Sequence, residues 1–182
     1  IDEILDSHVT QGRLVERLLL RTEQKVLDPE VSPRIELKVS RIDEYPHDIR
    51  RYELIRDDGG DLPEFEPGAH IDLFTGHGLR RSYSLAGDSA VRDRYVLGIR
   101  REQASRGGSD WLLDHLSAGD DVMASLPSNN FPLNNTAVRH TLIAGGIGVT
   151  PVMAMGYQLR RQGMDFHLHF CAPNEARAPL LE

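Results

Sequence analysis

Arg81, Ser82, Tyr83 and Ser84 form a tetrapeptide whose side chains could together hold a phosphorylated heterocycle. A guanidinium can grip a phosphate through two hydrogen bonds, an aromatic ring can stack on a flat heterocycle, and a hydroxyl can hydrogen-bond a ring nitrogen. Side chains alternate along a strand, so Arg81 and Tyr83 are expected on one face and Ser82 and Ser84 on the other. The tetrapeptide alone is equally compatible with an ordinary exposed strand.

A second motif, Gly107-Gly108-Ser109, stands between a predicted strand and a predicted helix. The free N–H groups and partial positive charge of a helix N-terminus attract anions, and paired glycines let an anion approach the backbone. The alternative is that Ser109 only caps the helix. A phosphate site is favoured because arginines gather nearby in a chain whose net charge is −7. These arginines are Arg80, Arg81, Arg100, Arg101 and Arg106.

A third motif, Gly145-Gly146-Ile147-Gly148-Val149-Thr150-Pro151, follows a continuous apolar segment at residues 141–144. Strand, glycine turn, helix and a further strand in this order are typical of a nucleotide-binding βαβ unit. The motif departs from the usual dinucleotide fingerprint, because Pro151 stands where a third glycine is expected. A tight turn without a ligand is the alternative.

The second strand of this unit, at residues 166–171, carries two histidines and the cysteine of the chain. His167 and His169 share one face at a spacing that can bind a metal, but no third ligand is evident nearby, so packing or surface placement is favoured. Cys171 ends the strand, where the ligand crevices of α/β sheets lie. It could line a nicotinamide pocket or serve as a small buried hydrophobe.

The overall composition excludes several classes of function. A net charge of −7 argues against nucleic acid as the main partner, because phosphate binding needs a basic surface. No apolar run approaches the ~20 residues that span a bilayer. A single cysteine, Cys171, can form neither an internal disulfide nor a four-thiolate iron–sulfur site, so a reducing cytoplasm is the expected location.

The hydrophobic pattern predicts three regions. Residues 1–31 are expected to form a helical extension, with apolar positions near the 3.6-residue period. Residues 32–136 contain short, evenly spaced strands that predict a closed or nearly closed antiparallel barrel, interrupted by one helix near residues 108–116. Residues 137–182 predict the start of a parallel α/β domain whose apolar first strand suits burial on both faces. We expect that domain to continue beyond Glu182.

Taken in order along the chain, these motifs resemble the ferredoxin-reductase superfamily, and within it the reductases of Rieske oxygenases of the phthalate dioxygenase and vanillate demethylase type. The segment Asn129-Asn130-Phe131-Pro132-Leu133 contributes to the resemblance, which covers about residues 33–178. It implies a six-stranded antiparallel Greek-key flavin-binding barrel followed by a parallel NAD-binding domain. Residues 1–31 lie outside the family pattern.

The resemblance also implies roles for individual residues. Arg81 would bind the flavin phosphate, Tyr83 would stack on the isoalloxazine ring, and Ser84 would lie near its N5 atom. Ile99 and Arg100 would line the flavin edge. The phosphate site would be completed by Gly107, Gly108 and Ser109, and the nicotinamide path would be lined by Gly146, Gly148, Thr150 and Cys171. The glycine pair before Ser109 resembles the branch that uses FMN and makes FAD the less favoured cofactor.

The implied reaction is hydride transfer from NADH to the flavin, followed by electron transfer to a [2Fe–2S] centre that serves a terminal oxygenase. The family usually carries that centre in a domain with four cysteines, which these residues lack, so the cluster is expected in a further domain or in a separate ferredoxin. One alternative is an FAD-dependent ferredoxin or flavohaemoglobin-type reductase. Another is a flavin-binding module without catalytic activity.

Overall fold

The computed structural model describes residues 33–76, 78–101, 107–172 and 180, so the helical extension predicted for residues 1–31 lies outside the described part. The first group of strands is β1 (Arg34–Tyr45), β2 (Ile49–Ile55), β3 (Ala69–Phe74), β4 (Arg80–Ser84) and β5 (Tyr95–Arg100). Helix α1 (Gly108–His115), β6 (Asp121–Ser125) and β7 (Ser128–Asn129) follow. The last elements are β8 (His140–Gly145), α2 (Val149–Arg161) and β9 (Phe166–Cys171).

Strands β1 to β7 form one antiparallel sheet whose order, β4-β3-β6-β1-β2-β5, differs from the order along the chain, with β7 paired to β3. β1 is long enough to pair with two neighbours, β6 through residues 34–38 and β2 through residues 38–45. The pairing register shifts between Val39 and Arg41. An irregularity of this kind bends a strand, which lets β1 follow the curve of the barrel.

The sheet closes on itself just beyond β4. Leu85 forms an antiparallel bridge with Leu97 of β5, and the Ala86 amide donates to the Val96 carbonyl at 2.8 Å. Apolar side chains from successive strands fill the enclosed space, as in other small barrels. The buried core includes Leu37, Val39, Tyr52, Leu54, Ile71, Leu73, Leu85, Leu97 and Ile99. The predicted antiparallel barrel is therefore confirmed.

Helix α1 covers part of this core. Leu112 and Leu113 are buried together with the inward side chains of the strands. The Arg50 side chain donates to the Leu113 carbonyl, and Arg101 at the end of β5 forms an ion pair with Asp114 at 2.5 Å. These contacts hold the helix against β2 and β5, and they place its N-terminus beside β4.

β8, α2 and β9 form the predicted parallel βαβ unit. β8 and β9 pair in parallel from His140 and Phe166 to Gly145 and Cys171. α2 packs on one face of this pair, where a second core is buried. That core includes Leu142, Ala144, Val149, Val152, Met155 and Leu159.

Burial of this sheet on both faces, expected from the apolar first strand, is not found in the described residues. Leu142 and Ala144 face α2, whereas Ile143 points the opposite way and is 70 % exposed. A helix that follows a short turn can cover only one face of the strand before it. Neither described helix is both long and apolar enough to cross a membrane.

Candidate functional site

The side chains of Arg81 and Tyr83 lie on the inward face of β4. The register pairs Arg81 with Leu73 and Tyr83 with Ile71, which are both core residues of β3. Tyr83 packs against the barrel core, and its hydroxyl lies 2.9 Å from the Ser109 Oγ atom on α1. Burial raises the pKa of Tyr83 above its usual 10.0, so the phenol is neutral at neutral pH.

The two serines of the same strand lie on its other face. Ser82 is paired with Asp72 and donates a hydrogen bond to the carboxylate of that residue. Ser84 is paired with His70 and lines the cleft described below. The alternation expected from the sequence thus separates the arginine and tyrosine from the serines.

The N-terminus of α1 carries the second sequence motif. Gly107 has a left-handed φ of 86°, a conformation that favours glycine, and the helix begins at Gly108. The Arg81 side chain lies directly over Gly108, because a Cβ atom added there would stand 2.6 Å from Arg81 Cγ and 2.7 Å from Cζ. The bare glycine lets the guanidinium lie beside the first N–H groups of the helix, which attract anions.

β5 separates the barrel core from the other half of the site. Ile99 faces inward and is 0 % exposed, so only its backbone can contribute to the cleft. Gly98 and Arg100 lie on the outer face of the strand and both line the cleft. Arg100 Nη1 lies 3.4 Å from the position that a Cβ atom of Gly146 would take, which puts the guanidinium close to the glycine turn.

The glycine turn reaches this face of β5 at the end of β8. Residues Gly146–Gly148 form one turn of 3-10 helix before α2, and Gly146 has a φ of 51°. Thr150, in the first turn of α2, is 5 % exposed, and its Oγ1 donates to the Ile147 carbonyl at 3.1 Å. This hydrogen bond fastens the start of the helix to the turn.

Together these elements enclose a cleft of about 310 Å³. The site residues predicted from the sequence that line it are Tyr83, Ser84, Arg100, Ser109, Gly148 and Thr150. Three further lining residues, Ser82, Ile147 and Pro151, belong to the first and third motifs, and only Gly98 was not singled out from the sequence. Gly98 had a usable signal, since a glycine inside a strand often marks the close approach of another part of the chain.

The predicted site residues outside this lining are Arg81, Ile99, Gly107, Gly108, Gly146 and Cys171. Cys171 pairs with Gly145 at the carboxyl end of the parallel sheet, and its side chain is exposed. His167 and His169 are exposed on β9, and the part of the chain that the structure describes contains no group of three or more His, Cys, Asp or Glu side chains that could hold a metal.

A second cleft, of about 290 Å³, lies at the β1–β2 hairpin. Both of its arginines form ion pairs: Arg50 pairs with Glu44 at 2.9 Å, and Arg101 pairs with Asp114 at 2.5 Å. Of the residues named from the sequence, Arg101 of the arginine group lines it, and no residue of the three motifs does. The three motifs therefore point to the first cleft.

Comparison with known proteins gives clear relatives, although the chain matches no protein-family model. It is 42 % identical over 148 residues to the reductase subunit of tert-butanol monooxygenase / tert-amyl alcohol desaturase from Aquincola tertiaricarbonis, covering 81 % of this chain and 44 % of that protein. It is 40 % identical over 148 residues to a vanillate O-demethylase oxidoreductase from Pseudomonas sp. (strain HR199 / DSM 7063), covering 81 % of this chain and 47 % of that protein. The chain spans less than half the length of both relatives.

A solved structure gives the same result. Phthalate dioxygenase reductase, described as a modular structure for electron transfer from pyridine nucleotides to [2Fe–2S], matches with a TM-score of 0.73 and 42 % identity, covering 75 % of this chain and 43 % of that one. The shared fold and the identity to several such reductases agree with the order of the motifs. Over about four fifths of its own length, the chain is therefore a homologue of phthalate dioxygenase reductase and vanillate O-demethylase oxidoreductase.

Proposed function

We propose that this chain is the flavin-binding part, and the beginning of the nicotinamide-binding part, of a reductase that takes electrons from NADH and passes them to an iron–sulfur centre. The observation that carries the proposal is the convergence of three separate motifs on one cleft. Tyr83 and Ser84 reach it from β4, Ser109 from α1, and Thr150 from the start of α2. Relatives named as monooxygenase and demethylase reductases support the same class of reaction.

The residues around the cleft suit a flavin. The inward ring of Tyr83 is partly buried and could stack on a flat heterocycle. Arg81 over Gly108, together with the helix N-terminus and the Ser109 hydroxyl, offers a guanidinium, backbone amides and a hydroxyl to a phosphate. A volume of about 310 Å³ lies at the lower end of the range for small-molecule sites.

FMN is the flavin that we favour. The support is local, since Arg81, Gly107, Gly108 and Ser109 gather at one helix end as a compact site for a terminal phosphate. FAD would continue from that point into a second phosphate and an adenosine. The mass of the bound cofactor distinguishes the two.

When bound, the flavin supplies the redox chemistry, since it can take up the hydride of NADH and pass the two electrons on singly. The part played by this chain is to bind and orient. Ser84 lies on the β4 side of the cleft and Thr150 on the side of the glycine turn. Arg100 brings positive charge against Gly146, where the phosphates of a dinucleotide would approach the turn.

The electron acceptor that we propose is an iron–sulfur domain or a ferredoxin, with a terminal oxygenase or demethylase component as the final recipient. The 182 residues contain one cysteine, so the four thiolates of a plant-type cluster have to come from other residues. The description of phthalate dioxygenase reductase as transferring electrons to [2Fe–2S] supports this acceptor. A cytoplasmic location stays a prediction.

The test is to release the cofactor from the full-length protein by heat, measure its mass, and follow NADH oxidation with ferricyanide as the electron acceptor. We expect FMN, and oxidation of NADH that depends on it. Release of FAD would favour the ferredoxin or flavohaemoglobin-type reductase instead. FMN without NADH oxidation would favour a flavin-binding module, and a protein that takes up neither flavin would contradict the proposal.

A further inference from the structure

Gly98 lies where the outer face of β5 comes closest to the βαβ unit. A Cβ atom added at Gly98 would stand 2.8 Å from Thr150 Cγ2, 2.8 Å from Leu180 Cδ1 and 3.1 Å from Ile147 Cδ1. The first two distances are about 0.6 Å shorter than the 3.4 Å at which ordinary van der Waals contact begins. Glycine weakens the interior of a strand, so its presence here has a structural reason in the close approach of the turn.

Of the three neighbours, Thr150 is the least able to move aside. Its side chain is branched at Cβ and therefore stiff, it is 5 % exposed, and its hydroxyl is bonded to the Ile147 carbonyl at 3.1 Å. Turning the methyl group away from residue 98 would break that hydrogen bond. Leu180 and Ile147 meet position 98 with the ends of flexible side chains, which can rotate. A side chain at position 98 would therefore push the start of α2 and the turn away from β5.

The next outward residue of β5 touches the same turn, since Arg100 Nη1 lies close to Gly146. Two successive outward positions of one strand thus set the distance between the barrel and the turn. Gly98 itself lines the cleft, between the side chains of β4 and those of the turn.

We propose that Gly98 is a positioning residue: the absence of a Cβ atom lets the glycine turn approach β5 closely enough for a nicotinamide at the turn to meet a flavin at β4 and α1. This inference rests on the proposed function, because it assigns Gly98 a part in the same hydride transfer. A displacement of about 1 Å between reacting groups can cost about 100-fold in rate, so a contact of this kind has a measurable effect.

The first test needs no cofactor. Amide hydrogen exchange is measured in the flavin-free full-length protein for Val149, whose N–H donates to the Gly146 carbonyl, and for the residues that follow it. We expect Gly98→Ala to speed exchange there about tenfold. Thr150→Ser removes the methyl group that meets the new Cβ and keeps the hydroxyl, so the double variant should recover most of the protection that Gly98→Ala loses.

The second test uses the flavin-loaded full-length protein, mixed with NADH without oxygen while the flavin absorbance is followed. Gly98→Ala should slow flavin reduction about tenfold and Gly98→Val about 100-fold, whereas flavin affinity should change by less than about threefold. Adding Thr150→Ser to Gly98→Ala should bring the rate to within about threefold of Thr150→Ser alone. Gly156→Ala is the matched control, because Gly156 lies on α2 outside the cleft, where an added Cβ would stand 3.6 Å from the Phe166 ring of β9, and this variant should keep the wild-type rate.

The outcomes separate this inference from the proposed function. If NADH reduces the flavin of the wild type and the two Gly98 variants equally fast, or if Thr150→Ser restores nothing to Gly98→Ala, then Gly98 does not set the approach of the turn and the reductase function stands without it. If NADH leaves the flavin of the wild type oxidised, both the proposed function and this inference are overturned.

Discussion

Adding one methyl group at Gly108 should weaken flavin binding as strongly as removing the Arg81 guanidinium. The new Cβ atom would stand 2.6 Å from Arg81 Cγ and 2.7 Å from Cζ, well inside van der Waals contact, so the arginine has to leave the helix N-terminus. Gly108 is not among the glycines with positive φ, so alanine fits the backbone. Alanine also stabilises a helix by about 0.5–1 kcal/mol relative to glycine. A loss of flavin affinity in Gly108→Ala would therefore come from the displaced arginine and not from a less stable protein.

The size of the effect follows from the contact that is lost. A hydrogen bond to a charged group contributes about 1.5–3 kcal/mol, and removing one partner of a desolvated charge pair costs about 2–5 kcal/mol. We expect Arg81→Ala to weaken FMN binding by about 2–4 kcal/mol, which is roughly 30- to 900-fold in Kd. Gly108→Ala should cause a loss in the same range.

Fluorescence titration of the flavin-free protein with FMN measures Kd for the wild type, both single variants and the double variant. Because both changes remove the same contact, the double variant should bind no more weakly than Arg81→Ala. Gly156→Ala, which adds the same methyl group to a helix away from the cleft, should bind FMN like the wild type. Wild-type affinity in Gly108→Ala, or losses that add up in the double variant, would refute the reasoning.

Two further predictions concern tyrosines of the barrel, the partly buried Tyr83 and the buried Tyr95. Tyr83→Phe keeps the ring and removes the hydroxyl that lies 2.9 Å from Ser109 Oγ, so urea unfolding should show a loss of about 1 kcal/mol, and an unchanged midpoint would count against the bond. The Tyr95 hydroxyl donates to the Pro63 carbonyl at 2.5 Å, and burial raises the pKa of Tyr95 from 10.0 to about 12. A pKa raised by folding gives stability that is complete below the unfolded pKa and is lost as the pH rises towards the folded pKa. Between roughly pH 8 and pH 11 the free energy of unfolding of the wild type should therefore fall by about 1.4 kcal/mol more than that of Tyr95→Phe. Urea unfolding at the two pH values measures this difference, and equal falls in both proteins would contradict the prediction.

The strands and helices were largely predictable because the spacing of apolar residues along the sequence follows the period of a strand or of a helix. A strand was predicted at residues 166–171, and the structure has β9 at Phe166–Cys171. A helix was predicted over residues 108–116, and α1 spans Gly108–His115. The positions of the glycine motifs at the ends of strands and the starts of helices were also predictable, because glycine pairs and helix starts are recognised from neighbouring residues alone.

Contacts between distant elements were not predictable in the same way. Gly98 and Ile99 lie on opposite faces of β5 because side chains alternate along a strand, but the sequence does not show that the glycine turn packs over the face of Gly98. The contact between Tyr83 and Ser109 joins residues far apart in the chain and depends on how α1 packs on β5. The exposure of Ile143 depends on which face of β8 is covered by α2. A strand in which every residue is apolar does not indicate which of its two faces the next helix covers.

The most direct test of the central claim is to add NADH to the flavin-loaded full-length protein in the absence of oxygen and to record the visible absorbance of the flavin. The proposed function predicts that NADH in excess bleaches the flavin band, since part of the first equivalent passes to any [2Fe–2S] centre that the full-length protein holds. A band that persists with NADH, and disappears only when dithionite is added, would show that the cleft holds a flavin that NADH cannot reduce, and it would contradict the claim.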